Sequence, residues 1–388
     1  MSSRISSGPF RLQARAVAAH GAGRDRGAVI AAARPHRGKP ARRLHRRQTP
    51  HQTRHDIRLG ADAGGRFVAL SHTAEMATSR FDTFAMEGTD VTTALYTCAN
   101  VASEERVARV DRNTPGPMRA PPEVPYMFAL ESAVDELAHS MRIDPIELRR
   151  CNDTLTDPVT GHPFTSRPLM RCFDAGAAAF GWAARLPEPG VTRDGAWLIG
   201  SGCAAAARPA KIGAAIVRLT QTADGAVRVQ TAHHEIGNGL YTLLALTASE
   251  RLGVPLARVQ VELGDTALPA AGISGGSSTS TTLVNALAEA CRQLQAQPAG
   301  ANRLVEVALA PPGAEPSTID ELRKGHLKLV STPKDKLAWS FGAHFIEVGV
   351  HGETREVRVR QHVGAFAAGR ILNPLTARSQ MLGGMIWG

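Results

Sequence analysis

Residues 215–263 read AIVRLTQTADGAVRVQTAHHEIGNGLYTLLALTASERLGVPLARVQVEL, and four elements follow from that stretch. Ala215–Leu219 and Val227–Val229 roughly alternate apolar and polar residues around Asp224-Gly225, the pattern of an antiparallel hairpin with one buried face. A polar, glycine-bearing loop, His233–Gly239, runs into a helix, Leu240–Leu252, which Gly253 stops with Pro255 beyond it. Strand Val259–Leu263 comes next. The hairpin design recurs in Ile57–Leu59 with Phe67–Leu70, and in Phe345–Val350 with Val357–Val359. Met127–Met141 sets Leu130, Val134, Leu137 and Met141 on one helical stripe. Asp144-Pro145-Ile146-Glu147 reads as a capping box opening a short helix through Arg149. Leu283–Leu294 reads as a helix, and Gln295–Ser317, with its Pro, Gly and Ala, as a loop or shortened insertion. The class is α+β, with mixed or antiparallel sheets and packed helices. Pro187, Pro189 and Gly190 suggest a boundary in Leu186–Asp194. The expected division is an arm over 1–55, a first domain over 56–186 and a second over 195–388.

The 388 residues suffice for two or three domains, and 43% apolar with 21% charged residues argues against wholesale disorder. No apolar run approaches the ~18 residues of a membrane span. The net charge of +10 comes from one end: residues 1–50 hold twelve Lys and Arg against Asp25 alone, and the rest is near neutral. This arm reads as poorly folded. Its arginines suit phosphate, but Phe10 is its one aromatic, so nucleic acid is not expected as a partner. No apolar core of a signal peptide follows the early arginines. Cys98, Cys151, Cys172, Cys203 and Cys291 lie far apart and make no zinc, iron–sulfur or disulfide framework.

Three loops meet helix starts: His233–Gly239, Ser274–Thr282 and Gly369–Gln380. A helix start offers free N–H groups and partial positive charge, so it suits anions. Taken singly, each loop also reads as an ordinary helix cap after a polar turn. The second exceeds what a cap needs, with seven hydroxyl residues among nine. Together the three suit a large polyanionic cofactor. His233-His234-Glu235 is a poor metal set, because neighbouring strand residues point to opposite faces and further ligands are wanting.

These segments resemble the molybdenum-binding large subunit of the xanthine dehydrogenase/aldehyde oxidase family, most of all the bacterial periplasmic aldehyde oxidoreductase type. The likeness is carried by Met118-Arg119-Ala120-Pro121 with Phe128–Ala138, Asp144–Arg149, His234–Gly237, Leu252–Pro255, Gly264-Asp265-Thr266, Gly275–Thr282, Ser340–Ala343 and Gly369–Gly384. It runs from about residue 56 to the end. The resemblance implies a molybdopterin cofactor, as its cytosine dinucleotide, held by Ile236, Gly237, Asn238, Gly275, Gly276, Ser277, Ser278, Thr279, Asn373, Thr376, Ala377, Arg378, Ser379, Gln380 and Gly384. It also implies oxidation of an aldehyde or N-heterocycle, with electrons leaving through an iron–sulfur subunit and an FAD subunit of a heterotrimer. Arg119 matches a family position that orients substrate or stabilises developing negative charge. Arg208 is a weaker pocket candidate, with surface exposure its expected fate. The compartment implied is the cytoplasm, or the periplasm by way of an exported partner. Family chains extend further at both ends, and their general-base glutamate has no counterpart here. The alternative expectation is therefore an inactive remnant or assembly module. Pro122 and Tyr126 stand where the family usually has Gly, and Ala367-Ala368 where it usually has Asp, which predicts backbone strain in the pocket wall.

Overall fold

The computed structural model describes residues 49–298, 302–326 and 335–387. The Arg-rich arm thus lies almost wholly outside the described residues, though its end does not: Thr53–His55 already belong to a strand. The chain divides into two compact units. One runs to Gly161 and takes in Cys203–Ala207; the other comprises His162–Gly202 and Arg208 onward. The Leu186–Asp194 stretch lies inside the second unit, not at the division.

In the first unit, β1 (Thr53–Ala61) and β2 (Phe67–Ser79) form the expected hairpin, with Leu59 opposite Leu70. Its turn is held by the Asp62 carboxylate, which accepts the N–H groups of Gly64 and Arg66, both at 2.9 Å. Helix α1 (Thr89–Leu95) leads to β3 (Val101–Val110), which lies parallel to β2 at the sheet edge. Phe67, Leu70, His72, Ala74 and Met76 are buried along β2, and α2 (Glu123–Met141) packs on β1. Helix α3 (Pro145–Cys151) opens on Asp144, whose carboxylate accepts the Ile146 N–H at 2.8 Å. The capping box is half formed: Glu147 pairs with Arg150 at 3.2 Å, which satisfies its charge on the helix surface.

Tyr126 is buried in helical backbone and Pro122 caps α2 at φ −84°. The expected strain falls elsewhere, on Arg119 (φ 35°) and Ala120 (φ 55°), where the chain turns sharply before the helix. Room for Tyr126 comes from Gly88, where a Cβ would stand 2.6 Å from the phenol ring.

Two buried polar clusters tie this unit together. Glu131 receives three donors: Tyr96 Oη at 2.8 Å, Arg149 Nε at 2.9 Å and the Ala205 N–H at 2.6 Å. Burial disfavours the Arg149 cation, yet Glu131 more than offsets this and holds the guanidinium above its ordinary pKa. His55 and His72 share a hydrogen bond of 2.8 Å, and His72 Nδ1 lies 2.8 Å from Thr92 Oγ1. The Tyr126 ring lies against both imidazoles, at 4.9 and 5.1 Å between centroids. Burial pushes their pKa values down to about 4 for His55 and about 3 for His72.

The second unit holds two sheets. One is ordered β11-β10-β5-β4, with β4 (Arg193–Asp194), β5 (Trp197–Pro209), β10 (Trp339–His351) and β11 (Val357–Ala367). Helix α4 (Leu169–Phe180) packs on β10 and β11. The other sheet is ordered β8-β7-β6-β9, with β6 (Ala215–Gln221), β7 (Val227–Thr231), β8 (Val259–Leu263) and β9 (Arg303–Leu309). Helices α5 (Leu240–Leu252) and α6 (Thr279–Gln295) cover it. Val217, Leu219 and Val229 from the sheet meet Leu240, Leu244, Leu283, Leu287 and Leu294 from the helices in one core.

Two expectations fail here. Strand β9 lies inside the segment read as a loop: Val305 and Val307 alternate with Glu306, bury into the core and pair antiparallel with β6. Helix α6 begins four residues earlier than read, because Thr279 and Thr282 are buried in its first turn. Short α7 (Thr318–Arg323) and terminal α8 (Pro374–Trp387) complete the described α-helices.

Glu131→Ala leaves the Arg149 cation buried without its carboxylate, and urea unfolding is expected to show a loss of about 3–5 kcal/mol. The histidine pair binds protons more readily in the unfolded chain, whose pKa is near 6.5. Stability is therefore complete above that value and falls as pH drops toward about 4 and below. A His72→Gln variant should show a shallower decline of Tm between pH 7 and 4 than the wild type.

Candidate cofactor site

The second unit brings the three loops together. The first leaves β7 and enters α5. His233 is buried, with Nδ1 3.2 Å from Thr231 Oγ1, and burial together with neighbouring His234 lowers its pKa to about 4. His234 faces solvent, so the two imidazoles diverge, although both lie past the end of β7. Glu235 turns back on the loop, and its carboxylate accepts the N–H groups of Gly237 at 2.7 Å, Gly239 at 3.2 Å, Leu240 at 2.5 Å and Tyr241 at 3.4 Å. Burial pushes the Glu235 pKa up, but these donors together outweigh it and hold the group below its ordinary value. The start of α5 thus carries an internal anion. Among the described residues, no three His, Cys, Asp or Glu side chains are placed to hold a metal.

The second loop is clasped to the first. Ser274 Oγ accepts the His234 N–H at 3.2 Å and donates back to the His234 carbonyl at 3.1 Å. Beyond it, Gly276 (φ 63°) and Ser277 (φ 58°) are both left-handed. That geometry suits Gly and costs Ser, and it leaves the Ser277 side chain exposed. Ser278 Oγ donates to the Gly275 carbonyl at 2.9 Å, and Thr282 Oγ1 accepts the Gly213 N–H at 2.8 Å. The hydroxyl excess therefore divides between structural bonds and the exposed turn. His233, Ser278, Thr279 and Thr282 line a cleft with Gly213 and Gly272.

The third loop touches the first through Thr376: a Cβ on Gly239 would lie 3.4 Å from Thr376 Cγ2. Asn373 caps α8, its side-chain oxygen accepting Leu375 N–H at 3.1 Å and Thr376 N–H at 3.4 Å. Arg370 pairs with Glu250 of α5 at 2.7 Å, and Leu372 packs on the α5–α6 core. Along α8, helical spacing sets Thr376, Ala377, Ser379, Gln380 and Gly384 on one side. Arg378 lies about 200° round from Thr376, on the other. None of the α8 side chains is buried.

A phosphorylated pterin fits this setting by its donors and acceptors. The Asn238 side-chain oxygen is shielded from solvent without a protein donor, which suits a ring N–H or amino group. The exposed left-handed turn at Gly276-Ser277 lets backbone approach a phosphate closely. Arg208 is half-buried, with Nε and Nη1 shielded from solvent, rather than surface-exposed. Arg119, in the first unit, is exposed. The sequence reading missed the part played by Glu235 and the Ser274 clasp. An acidic side chain beside Gly-x-Gly, just ahead of a helix, is the signal that points to the former.

Two models described as molybdopterin cofactor-binding domain match the chain, one over residues 36–153 and the other over 175–315 and 317–388. The chain belongs to the molybdopterin cofactor-binding family. It is 38% identical over 368 residues to the aldehyde oxidoreductase molybdenum-binding subunit PaoC of Escherichia coli, covering 89% of this chain and 50% of that one. It is 26% identical to the putative xanthine dehydrogenase molybdenum-binding subunit XdhA of the same organism, covering 84% and 48%. The aldehyde oxidoreductase of Desulfovibrio gigas superposes with a TM-score of 0.72 at 21% identity, over 86% of this chain and 39% of that one; this shows the shared fold. The chain spans about half the length of the curated relatives it matches. No helix among the described residues is long and apolar enough to cross a membrane.

Ser274→Ala removes both bonds of the clasp. Urea unfolding should show a loss of about 1–2 kcal/mol, and hydrogen exchange at the His234 amide should quicken.

Proposed function

We propose that this chain supplies the cofactor-gripping part of an aldehyde-oxidising molybdenum hydroxylase, which converts an aldehyde and water to a carboxylic acid. The convergence of three helix-entry loops in one unit, the first two clasped at Ser274 and the third approaching Gly239 with Thr376, carries the reading. Similarity to PaoC supports the aldehyde as substrate. When bound, the molybdenum centre supplies the oxidising and oxygen-transferring chemistry. The protein's share is to bind and orient. Gly275, Gly276, Ser277, Ser278 and Thr279 offer backbone and hydroxyl donors to the phosphates of a cytosine dinucleotide. Ile236, Gly237 and Asn238 form the adjoining wall, with the Asn238 side-chain oxygen receiving a ring donor. Asn373 holds the α8 start in shape, while Thr376, Ala377, Ser379, Gln380 and Gly384 present its near side. Arg378 adds charge from the other side. Arg119 and Arg208 serve to orient substrate or meet developing negative charge. Iron–sulfur and FAD subunits complete the assembly as electron acceptors, in the cytoplasm or in a periplasm reached with an exported partner.

The full chain, expressed with its maturation machinery and partner subunits, should contain molybdenum and cytidine nucleotide in near-equal amounts by mass spectrometry. Gly276→Val is expected to lower both by at least about tenfold, since a β-branched residue resists the left-handed turn. Content at background in the wild type would overturn the proposal. Complementation of a large-subunit deletion separates an enzyme from an inactive remnant: restored growth on aldehyde oxidation marks the first.

A further inference from the structure

We infer that Glu235 is a positioning residue whose carboxylate fills the anion seat at the start of α5, so that a dinucleotide's phosphates are directed to the start of α6, which no side chain caps. The second half of this statement rests on the proposed cofactor; the first half stands on the structure alone. Four backbone N–H groups converge on the one carboxylate, at Gly237, Gly239, Leu240 and Tyr241. These are the donors that a phosphate at this helix would use. Gly239, the residue before the helix, lies at φ 76° and supplies no side-chain cap, so the carboxylate does that work from four residues upstream. A second phosphate charge beside it would meet repulsion instead of donors. The residues leading into α6, Ile273–Ser278, include no acidic side chain, whereas Asn373 already occupies the start of α8. The depressed pKa of Glu235 keeps the seat filled at neutral pH. Holding Gly237–Gly239 in this shape also fixes Asn238, whose shielded oxygen faces no protein donor.

Hydrogen exchange of the full chain, with and without inorganic phosphate at constant ionic strength, tests this. In the wild type, the Gly237, Gly239 and Leu240 amides should be protected, and phosphate should leave them unchanged. In Glu235→Ala they should exchange at least about tenfold faster, and phosphate should restore the protection. Three results would overturn the inference: amides as slow in the variant as in the wild type, a variant loop that phosphate does not protect, or a wild-type loop that phosphate does. If Glu235→Ala does not fold, Glu235→Gln decides. Corrected for intrinsic rates, wild-type protection of these amides should weaken as pH falls below the carboxylate range, and the Gln variant should hold it constant. A wild-type loop indifferent to that pH fall would overturn the inference. Molybdenum and cytidine content is a separate measurement. A chain that binds phosphate at α5 only after loss of Glu235, yet never carries molybdenum, sinks the cofactor proposal and with it the second half of this inference, and leaves the first half standing.

Discussion

A helix cannot satisfy its own first N–H groups, and the second unit is arranged around three places where that deficit is met. At α5 a glutamate from the preceding loop supplies the acceptor. At α8 an asparagine does so, and at α6 the chain enters through a left-handed Gly-Ser turn with hydroxyls committed close by. The same donors that demand satisfaction are what an anionic cofactor would use, so folding and binding draw on one set of groups. Which start remains available to a ligand is decided by the residues just upstream of each helix.

That arrangement needs a rigid base. Core side chains from α5, α6 and the β8-β7-β6-β9 sheet fix the two helices against each other, and Leu372 anchors the third loop to the same core. Ser274 joins the first two loops, Arg370 pairs the third with α5, and Thr376 lies close to Gly239. In the first unit the corresponding anchor is polar. Glu131 collects a tyrosine, an arginine and a backbone amide.

The hairpins and the helix Leu240–Leu252 were legible because each is bounded by residues with one physical meaning, a turn glycine or a stop at Gly253 followed by Pro255. Strand β9 was not, since its two buried valines sit between Pro- and Gly-bearing flanks and declare themselves only once β6 is there to pair with. The start of α6 was misplaced because Thr and Ser favour turns locally, while burial of Thr279 and Thr282 in the folded unit favours helix. For the site, loop composition pointed to the right segments. It did not reveal which donors were already engaged, because Glu235 reaches back from an irregular turn whose geometry no periodicity encodes. The side of α8 that carries Arg378 could be read from spacing, but which side meets the first loop could not.

Gly88 and Tyr126 fit together with no room to spare: a methyl at one position collides with the ring at the other. The two sites therefore cannot drift independently. A larger residue at 88 becomes admissible only after the phenol has been exchanged for something smaller, and the reverse order passes through a clash. Tyr126 also lies against His55 and His72, so the permitted sequence of changes at one buried glycine is set by the aromatic cluster packed against it.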